Sequence, residues 1–457
     1  MRDCHGRAAS HGGGMNLSRL IPPLFISFLA VSLSAAPELK PVVEAKVNAE
    51  YPSLEAIYKD IHAHPELSFM EVNTAALLAK ELRATGFEVT EKVGITGVVA
   101  VLKNGPGPTV LVRGDMDALP IKEATGLPYA STAIVKDLSG RDQPAMHACA
   151  HDTHVTGLIG TARVLAALKD RWSGTVVIIG QPAEEIAGGA RAMLADGLYT
   201  RFPKPDYALA LHTWAQVPAG SIGYGEGPFM ASANSLDILV RGVSGHGSAP
   251  NTAKDPVVLA AEIVVALQTI VSRELKPGTT GVVTVGTIHG GTKRNIIPDE
   301  VKLELTLRAF DDQVMEQMVA SVRRISLGLA QAAGVPADRL PVVTVSPEST
   351  PVMINDAALT RRLSAVFTDW LGADRVQPSP PVTGAEDFTL FGRTAEHVPT
   401  IIWWVGATAP EKFEESRRTG VPVPSNHNFA FAPVPEPTIK AAVTSMSAAV
   451  LTLLAKP

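Results

Sequence analysis

Cysteine is nearly absent, with two in 457 residues, Cys4 and Cys149. That excludes a disulfide framework. Long Lys/Arg runs are also missing, and the net charge is -5. Neither feature suits nucleic acid or an acidic membrane surface as a partner. Three catalytic signatures are missing too. There is no G-x-S-x-G elbow, no P-loop lysine and no G-x-G-x-x-G turn. The segment "GYGEG" (223–227) has the wrong spacing for the last and reads as a turn. No internal repeat or low-complexity stretch stands out.

What is present is globular in composition, with 46% hydrophobic and 19% charged residues. The length suits two domains. Residues 1–36 read as an export signal, with Met15 an alternative start. Arg19 precedes an apolar stretch from Leu20, and the small residues Ser34, Ala35 and Ala36 follow. The stretch is short and holds Pro22 and Pro23, which favours a cleaved signal over a membrane anchor. The expected location is periplasmic or secreted. Cys4 leaves with the signal, so Cys149 is the one thiol of the mature chain. An unpaired thiol in an oxidising compartment is a liability, and holding a metal would give it a role.

Two styles of apolar segment divide the chain. "TVLVR" (109–113), "TVVIIG" (175–180) and "YALAL" (207–211) are continuous runs separated by helical patterns. Such runs predict strands buried on both faces of a mostly parallel sheet, with helices on both faces. The segments 72–86 and 157–170 read as covering helices, the first ending at Gly86. From about residue 231 the style changes. "VKLELTLRAF" (301–310) alternates strictly, so one face is wet. The order over 231–347 is β-α-β-β-α-β, a ferredoxin-like α+β unit inserted as a lid. The α/β catalytic domain is then 37–230 joined to 348–457.

Each continuous run leads into residues able to hold a metal. The first offers Asp115 and Asp117, the second Glu184 and Glu185, the third His212. Sites in open parallel sheets form beyond the carboxyl ends of the strands, so these groups should converge. "MHACAHDTH" (146–154) adds Cys149 and His151 in the loop before a helix expected near 155. Each residue alone has a plainer reading. The histidines could be polar positions on a helix turn, Asp115 and Asp117 a capped turn, Glu184 and Glu185 a solvated pair, and His212 a hydrogen-bonded core residue. The joint occurrence at the ends of several structural units is what points to a metal.

The motifs "HAHPELSF", "RGDMDALP", "MHACAHDTH", "GQPAEE", "LHTW", "SGHGSAP", "GGTKRNIIPDE", "TGAEDF" and "SNHNFAF" run in order from 62 to 431. Together they resemble the co-catalytic metal amidohydrolases that include hippurate hydrolases, auxin-conjugate hydrolases and N-acyl-amino-acid hydrolases, within the aminoacylase and carboxypeptidase G superfamily. The resemblance implies two divalent ions per subunit, held by Cys149, His151, Glu185, His212 and His427. It implies that Cys149 bridges the ions, standing in for a superfamily role, while Asp115 occupies a position that often carries a ligand histidine. Glu184 matches the general base and Asp117 the carboxylate that orients a ligand histidine. His246, on the inserted domain, matches the oxyanion stabiliser, and Asn295 and Arg308 fall where substrate contacts are expected. Of the clustered histidines only His151 is implied as a ligand; His147 and His154 are left to structural roles. Glu386 and Gly384 line the site in relatives without a ligand role.

The subgroup reads Cys-Gly-His-Asp where this chain has Cys-Ala-His-Asp at 149–152. If that backbone has positive φ, Ala150 costs on the order of 1 kcal/mol. Zn²⁺ fits the mixed thiolate, imidazole and carboxylate set, and Mn²⁺, Co²⁺ and Ni²⁺ also accept it. The implied activity is hydrolysis of the amide bond of a small N-acyl amino acid, and the lid closes to complete the site. A homodimer through the lid would let His246 serve its own chain or its partner. A dipeptidase or carboxypeptidase on the same scaffold, and an inactive exported metal- or peptide-binding relative, are the competing readings. Trp214, Phe229, Trp403 and Trp404 fit an apolar acyl pocket or simple core packing.

Overall fold

The computed structural model describes residues 36–456. The export segment expected over 1–36 therefore lies outside the described residues, apart from Ala36.

An eight-stranded sheet carries the larger part of the chain. Its centre is Gly174–Gln181, Thr109–Asp115, Tyr207–Pro218 and Thr400–Thr408, each parallel to its neighbour. Antiparallel strands Glu88–Val93 and Gly97–Asn104 extend one edge, and Ile222–Tyr224 joins the other. The central strands are the continuous apolar runs, and they are buried on both faces as such runs require. One face packs under helices His151–Ala167, Ala357–Leu371 and Pro435–Leu453, around Leu158, Phe367, Trp403 and Val443. The other buries Val177, Ile179, Leu111, Met193 and Phe388.

The second sheet is the expected α+β unit. Its order is Gly281–Gly290, Glu300–Ala309, Ser232–Arg241 and Val342–Thr350, every pairing antiparallel. Helices Pro256–Thr269 and Asp312–Ala332 bury Ile263, Leu267, Met318 and Val322 against one face. Strand Glu300–Ala309 alternates buried and half-buried residues along its length, which leaves its other face for a cavity.

Two boundaries differ from expectation, and both matter for the site. The helix expected near 155 begins at His151, with Ala150 as its left-handed N-cap at φ 66°. The hydroxyl of Thr153 donates to the Ala150 carbonyl (2.7 Å), which closes the first turn early. The strand expected to end before His212 runs on to Pro218, because Thr400–Thr408 continues alongside it. His212 thus sits inside a strand, paired with Trp404.

Candidate metal centre

Cys149 sits two residues before the helix start and is buried. It belongs to two groups of potential ligands at once. One is Cys149, His151 and His212; the other is Cys149, Glu185 and His427. All five residues expected as ligands are therefore brought together, with the thiol common to both groups.

The contacts among them also have the spacing of ligands around one ion. His212 Nε2 is 3.5 Å and His427 Nε2 is 3.3 Å from Cys149 Sγ. His427 Nε2 is 3.4 Å from Glu185 Oε2. Around a tetrahedral ion with bonds of about 2.3 Å to sulfur and about 2.0–2.2 Å to nitrogen or oxygen, neighbouring ligand atoms stand about 3.4–3.6 Å apart. Two buried atoms of the cluster, His151 Nε2 and Glu185 Oε1, have no hydrogen-bond partner among the described residues. Buried polar atoms are rarely left so without a reason, and a cation supplies one. The residues fit a divalent ion.

The surroundings fix which ring nitrogens face the centre. Nδ1 of His151 meets the main-chain oxygen of Asp117 at 2.7 Å, and Nδ1 of His212 meets that of Thr213 at 2.9 Å. A carbonyl only accepts, so each Nδ1 carries the proton and each Nε2 presents a lone pair. His154 is committed elsewhere. Its Nε2 accepts from the Thr213 N–H (2.7 Å), so its Nδ1–H donates to Asp115. Neither ring nitrogen of His147 has a partner among the described residues, and burial lowers its pKa to about 4, so it packs as a neutral ring. Both are thus structural.

Asp117 meets His151 through two of its oxygens. Its main-chain oxygen takes the His151 ring proton at 2.7 Å, and the nearer carboxylate oxygen stands 3.4 Å from the same nitrogen. The carboxylate accepts the N–H groups of Glu184 and Glu185, both at 3.1 Å, and the Ser68 hydroxyl at 2.6 Å. This turns the loop after strand Gly174–Gln181 inward, helped by positive φ at Ala183 and Ala187. Both glutamates reach the same cavity wall as a result.

That cavity has a volume near 590 Å³. Cys149, Glu184, Glu185, His212 and His427 line it on one side, and Arg308 of the second sheet lines the other. Arg308 is half-buried and, among the described residues, paired with no carboxylate. Burial lowers its pKa. His246 and Asn295 do not line this cavity. Both are exposed and sit together at the far end of the second unit, where Gly247 N–H donates to the Asn295 carbonyl (2.9 Å). Of the aromatics, Trp214 lines the cavity and stacks on Trp404. Phe229 stacks on the other side of Trp404, while Trp403 packs in the opposite core.

One arrangement was not legible in the sequence. Buried Arg113 reaches Asp115 (2.7 Å), Glu386 (2.6 Å) and Asp387 (3.3 Å), and its Nε donates to Gln181 (2.9 Å). Glu184 stands beside Glu386 and Asp387. Burial first, then the charges of Glu386, Glu185 and Asp387, hold the Glu184 carboxyl well above the usual range. The motifs "RGDMDALP" and "TGAEDF" each carried half of this network, and nothing in either marked them as partners.

A family model described as peptidase family M20/M25/M40 matches residues 111–416. The chain belongs to this family. Membership places it among amide-bond hydrolases, as the motifs imply, and the two-part fold agrees. The chain is 38% identical to the hippurate hydrolase of Campylobacter jejuni over 342 residues, 74% of this chain and 84% of that one. It is 36% identical to thermostable carboxypeptidase 1 of Saccharolobus solfataricus over 339 residues, 73% and 81% of the two chains. Among solved structures it resembles a dinuclear metal binding peptidase of the M20 family from Bacillus subtilis. The TM-score is 0.70 at 29% identity, covering 89% of this chain and 99% of the other.

Proposed function

We propose that this protein hydrolyses the amide bond of N-acyl amino acids, releasing a carboxylic acid and an amino acid. Two divalent ions would be held by Cys149, His151, Glu185, His212 and His427, with Cys149 the donor common to both candidate ligand groups. The observation that carries this reading is the thiol shared by two ligand groups, beside a free glutamate and across a cavity from an unpaired guanidinium. The dinuclear character of the Bacillus subtilis peptidase supports it. The donor set favours Zn²⁺, with Mn²⁺, Co²⁺ and Ni²⁺ as substitutes.

The chemistry supplied by bound divalent ions is Lewis acidity toward water and the scissile carbonyl. The chain supplies the rest. Arg308 receives the α-carboxylate of the amino acid, and its lack of a protein partner leaves it free to do so. Glu184 takes a proton from the attacking water and returns it to the departing nitrogen. The carboxylates of Glu386 and Asp387 favour a proton on Glu184, which suits the second half of that cycle, and Arg113 restrains both neighbours. Asp117 holds the loop so that Glu184 and Glu185 face the same space.

His246 would donate to the developing oxyanion and Asn295 would contact substrate, but each lies outside the cavity of its own chain. We propose that they act on a second copy of this chain, joined through the inserted unit as a homodimer. The outer face of helix Pro256–Thr269 exposes Val257, Val258 and Val265, and strand Gly281–Gly290 is an unpaired edge of its sheet. Export of the chain, read from residues 1–36 with Met15 an alternative start, is likewise proposed; cell fractionation tests it.

A substrate panel on metal-reconstituted protein is the direct test. Hippurate and N-acetyl amino acids should turn over, and turnover should stop with chelator. The carboxypeptidase relative favours a second reading, in which dipeptides or longer peptides are preferred. The same panel separates the two, and no metal-dependent hydrolysis of any member would reject both.

A further inference from the structure

A second cavity of about 580 Å³ adjoins the first. The two linings share Glu185 and Ile186 and no other residue. One wall of the second cavity is the hairpin formed by Ile134–Lys136 and Asp142–Pro144. Its volume is within the range of about 300–1,000 Å³ typical of small-molecule sites.

The polar groups of this cavity are already engaged. Asp137 accepts from the Ser139 N–H (2.9 Å), the Ser139 hydroxyl (2.6 Å) and the Arg141 N–H (3.0 Å). The Arg141 guanidinium and the Gln143 amide also donate to it, at 3.1 and 3.2 Å. Ser68 donates to Asp117, and Glu185 belongs to the metal cluster. What stays unengaged is apolar: Leu67, Leu119, Pro120, Leu138 and Ile186. The Asp137 carboxylate and Gly140, at φ 80°, lock the turn, and the locked turn leaves Leu138 63% exposed at its tip. A rigid turn that holds a leucine out toward a cavity beside the reacting centre is preorganised to receive an apolar group.

We propose that this cavity is the acyl subsite, and that it takes an apolar acyl group larger than acetyl, aryl or medium-chain alkyl. The proposal rests on the hydrolase reading above. There the amino acid's carboxylate meets Arg308 in the first cavity and the scissile carbonyl lies at the cluster that includes Glu185. The acyl substituent must leave the carbonyl on the other side, and the second cavity meets the first at Glu185 and Ile186, which line both. Leu138 is then a specificity-determining residue.

The test compares wild type, Leu138→Asp and Leu138→Met as metal-loaded full chains. The substrates are N-acetyl, N-hexanoyl and N-benzoyl derivatives of one amino acid. The expected result is a fall of at least tenfold in the benzoyl-to-acetyl ratio of kcat/KM for Leu138→Asp, carried by KM, with the ratio restored in Leu138→Met. A ratio within twofold of wild type in Leu138→Asp overturns the proposal, as does equal loss in both leucine variants. If wild type hydrolyses none of the three, the hydrolase reading fails on its own, and calorimetric binding of the same compounds decides the subsite. Tighter binding of benzoyl than acetyl, lost at least tenfold in Leu138→Asp, supports it; equal binding of the two compounds overturns it.

Discussion

At the scale of single residues, Cys149 and Glu184 divide holding from reacting. Replacing Cys149 by Ala removes the one donor common to both ligand groups. The expected outcome is a metal content below that of wild type, read by mass spectrometry after dialysis. Glu184→Gln keeps every proposed ligand and should retain the metal while kcat falls by a factor of about 10²–10⁴, the usual worth of a general base. Ala150 is a finer case. Its φ of 66° costs roughly 1 kcal/mol relative to glycine. Its methyl is fully buried with Ala215, Ala407 and Phe431, which is worth about 0.8 kcal/mol. The two nearly cancel, so Ala150→Gly should change unfolding free energy by less than about 1 kcal/mol. Ala150→Val adds bulk and a β-branch at a left-handed position, and should cost about 3 kcal/mol or more in denaturant unfolding.

At the scale of elements, the helix His151–Ala167 is where site and scaffold meet. Its first turn carries His151 toward the candidate ligand groups and Asp152 toward His62, 2.7 Å away on helix Ala36–Ala63. The other ring nitrogen of His62 meets Glu123 at 3.1 Å, in the segment before the hairpin. Burial alone would lower the His62 pKa, but the hydrogen bonds to Asp152 and Glu123 override it and raise it to about 10. A folded-state pKa above the ordinary 6.5 means stabilisation that is complete below about pH 6.5 and lost as pH rises through about 10. His62→Gln leaves two buried carboxylates without their cation and should cost about 3–5 kcal/mol near pH 6. The gap between variant and wild type should narrow above pH 10 in thermal unfolding; a gap independent of pH would contradict a charged His62. The motif "HAHPELSF" was visible as family-like, but its partners lie 61 and 90 residues away.

At the scale of the whole molecule, the inserted unit decides whether the site is complete. Arg308 reaches the cavity from strand Glu300–Ala309, while His246 and Asn295 stand apart at the unit's far end. If they serve a second copy, light scattering should show a dimer, and His246→Ala should lose activity without losing metal. Mixing His246→Ala with Glu184→Gln should then recover part of the activity, because heterodimers hold one intact composite site. No recovery in a mixture shown to exchange subunits would place His246 in its own chain's site. Charges on the exposed apolar helix face, Val258→Asp with Val265→Asp, should shift the molecule toward monomer.

The sequence by itself determined the layer plan and named the candidate ligands. Continuous apolar runs read as a buried parallel sheet and strict alternation as a half-wet one, because burial on one or two faces is written in the period of the side chains. Candidate ligands were legible because few residue types can serve: carboxylates and His212 stood at apolar runs, and the family motifs added Cys149, His151 and His427. Only the tertiary structure decided what depends on distant segments. It joined Arg113 to Glu386 and Asp387, gave the His151 proton to a main-chain oxygen, and put a left-handed turn under Ala150. It also placed the hairpin that bears Leu138 on a cavity with Glu185 and kept His246 out of both cavities. Hydrogen bonds and charge pairs form between groups far apart in the chain, and no local pattern records their partners.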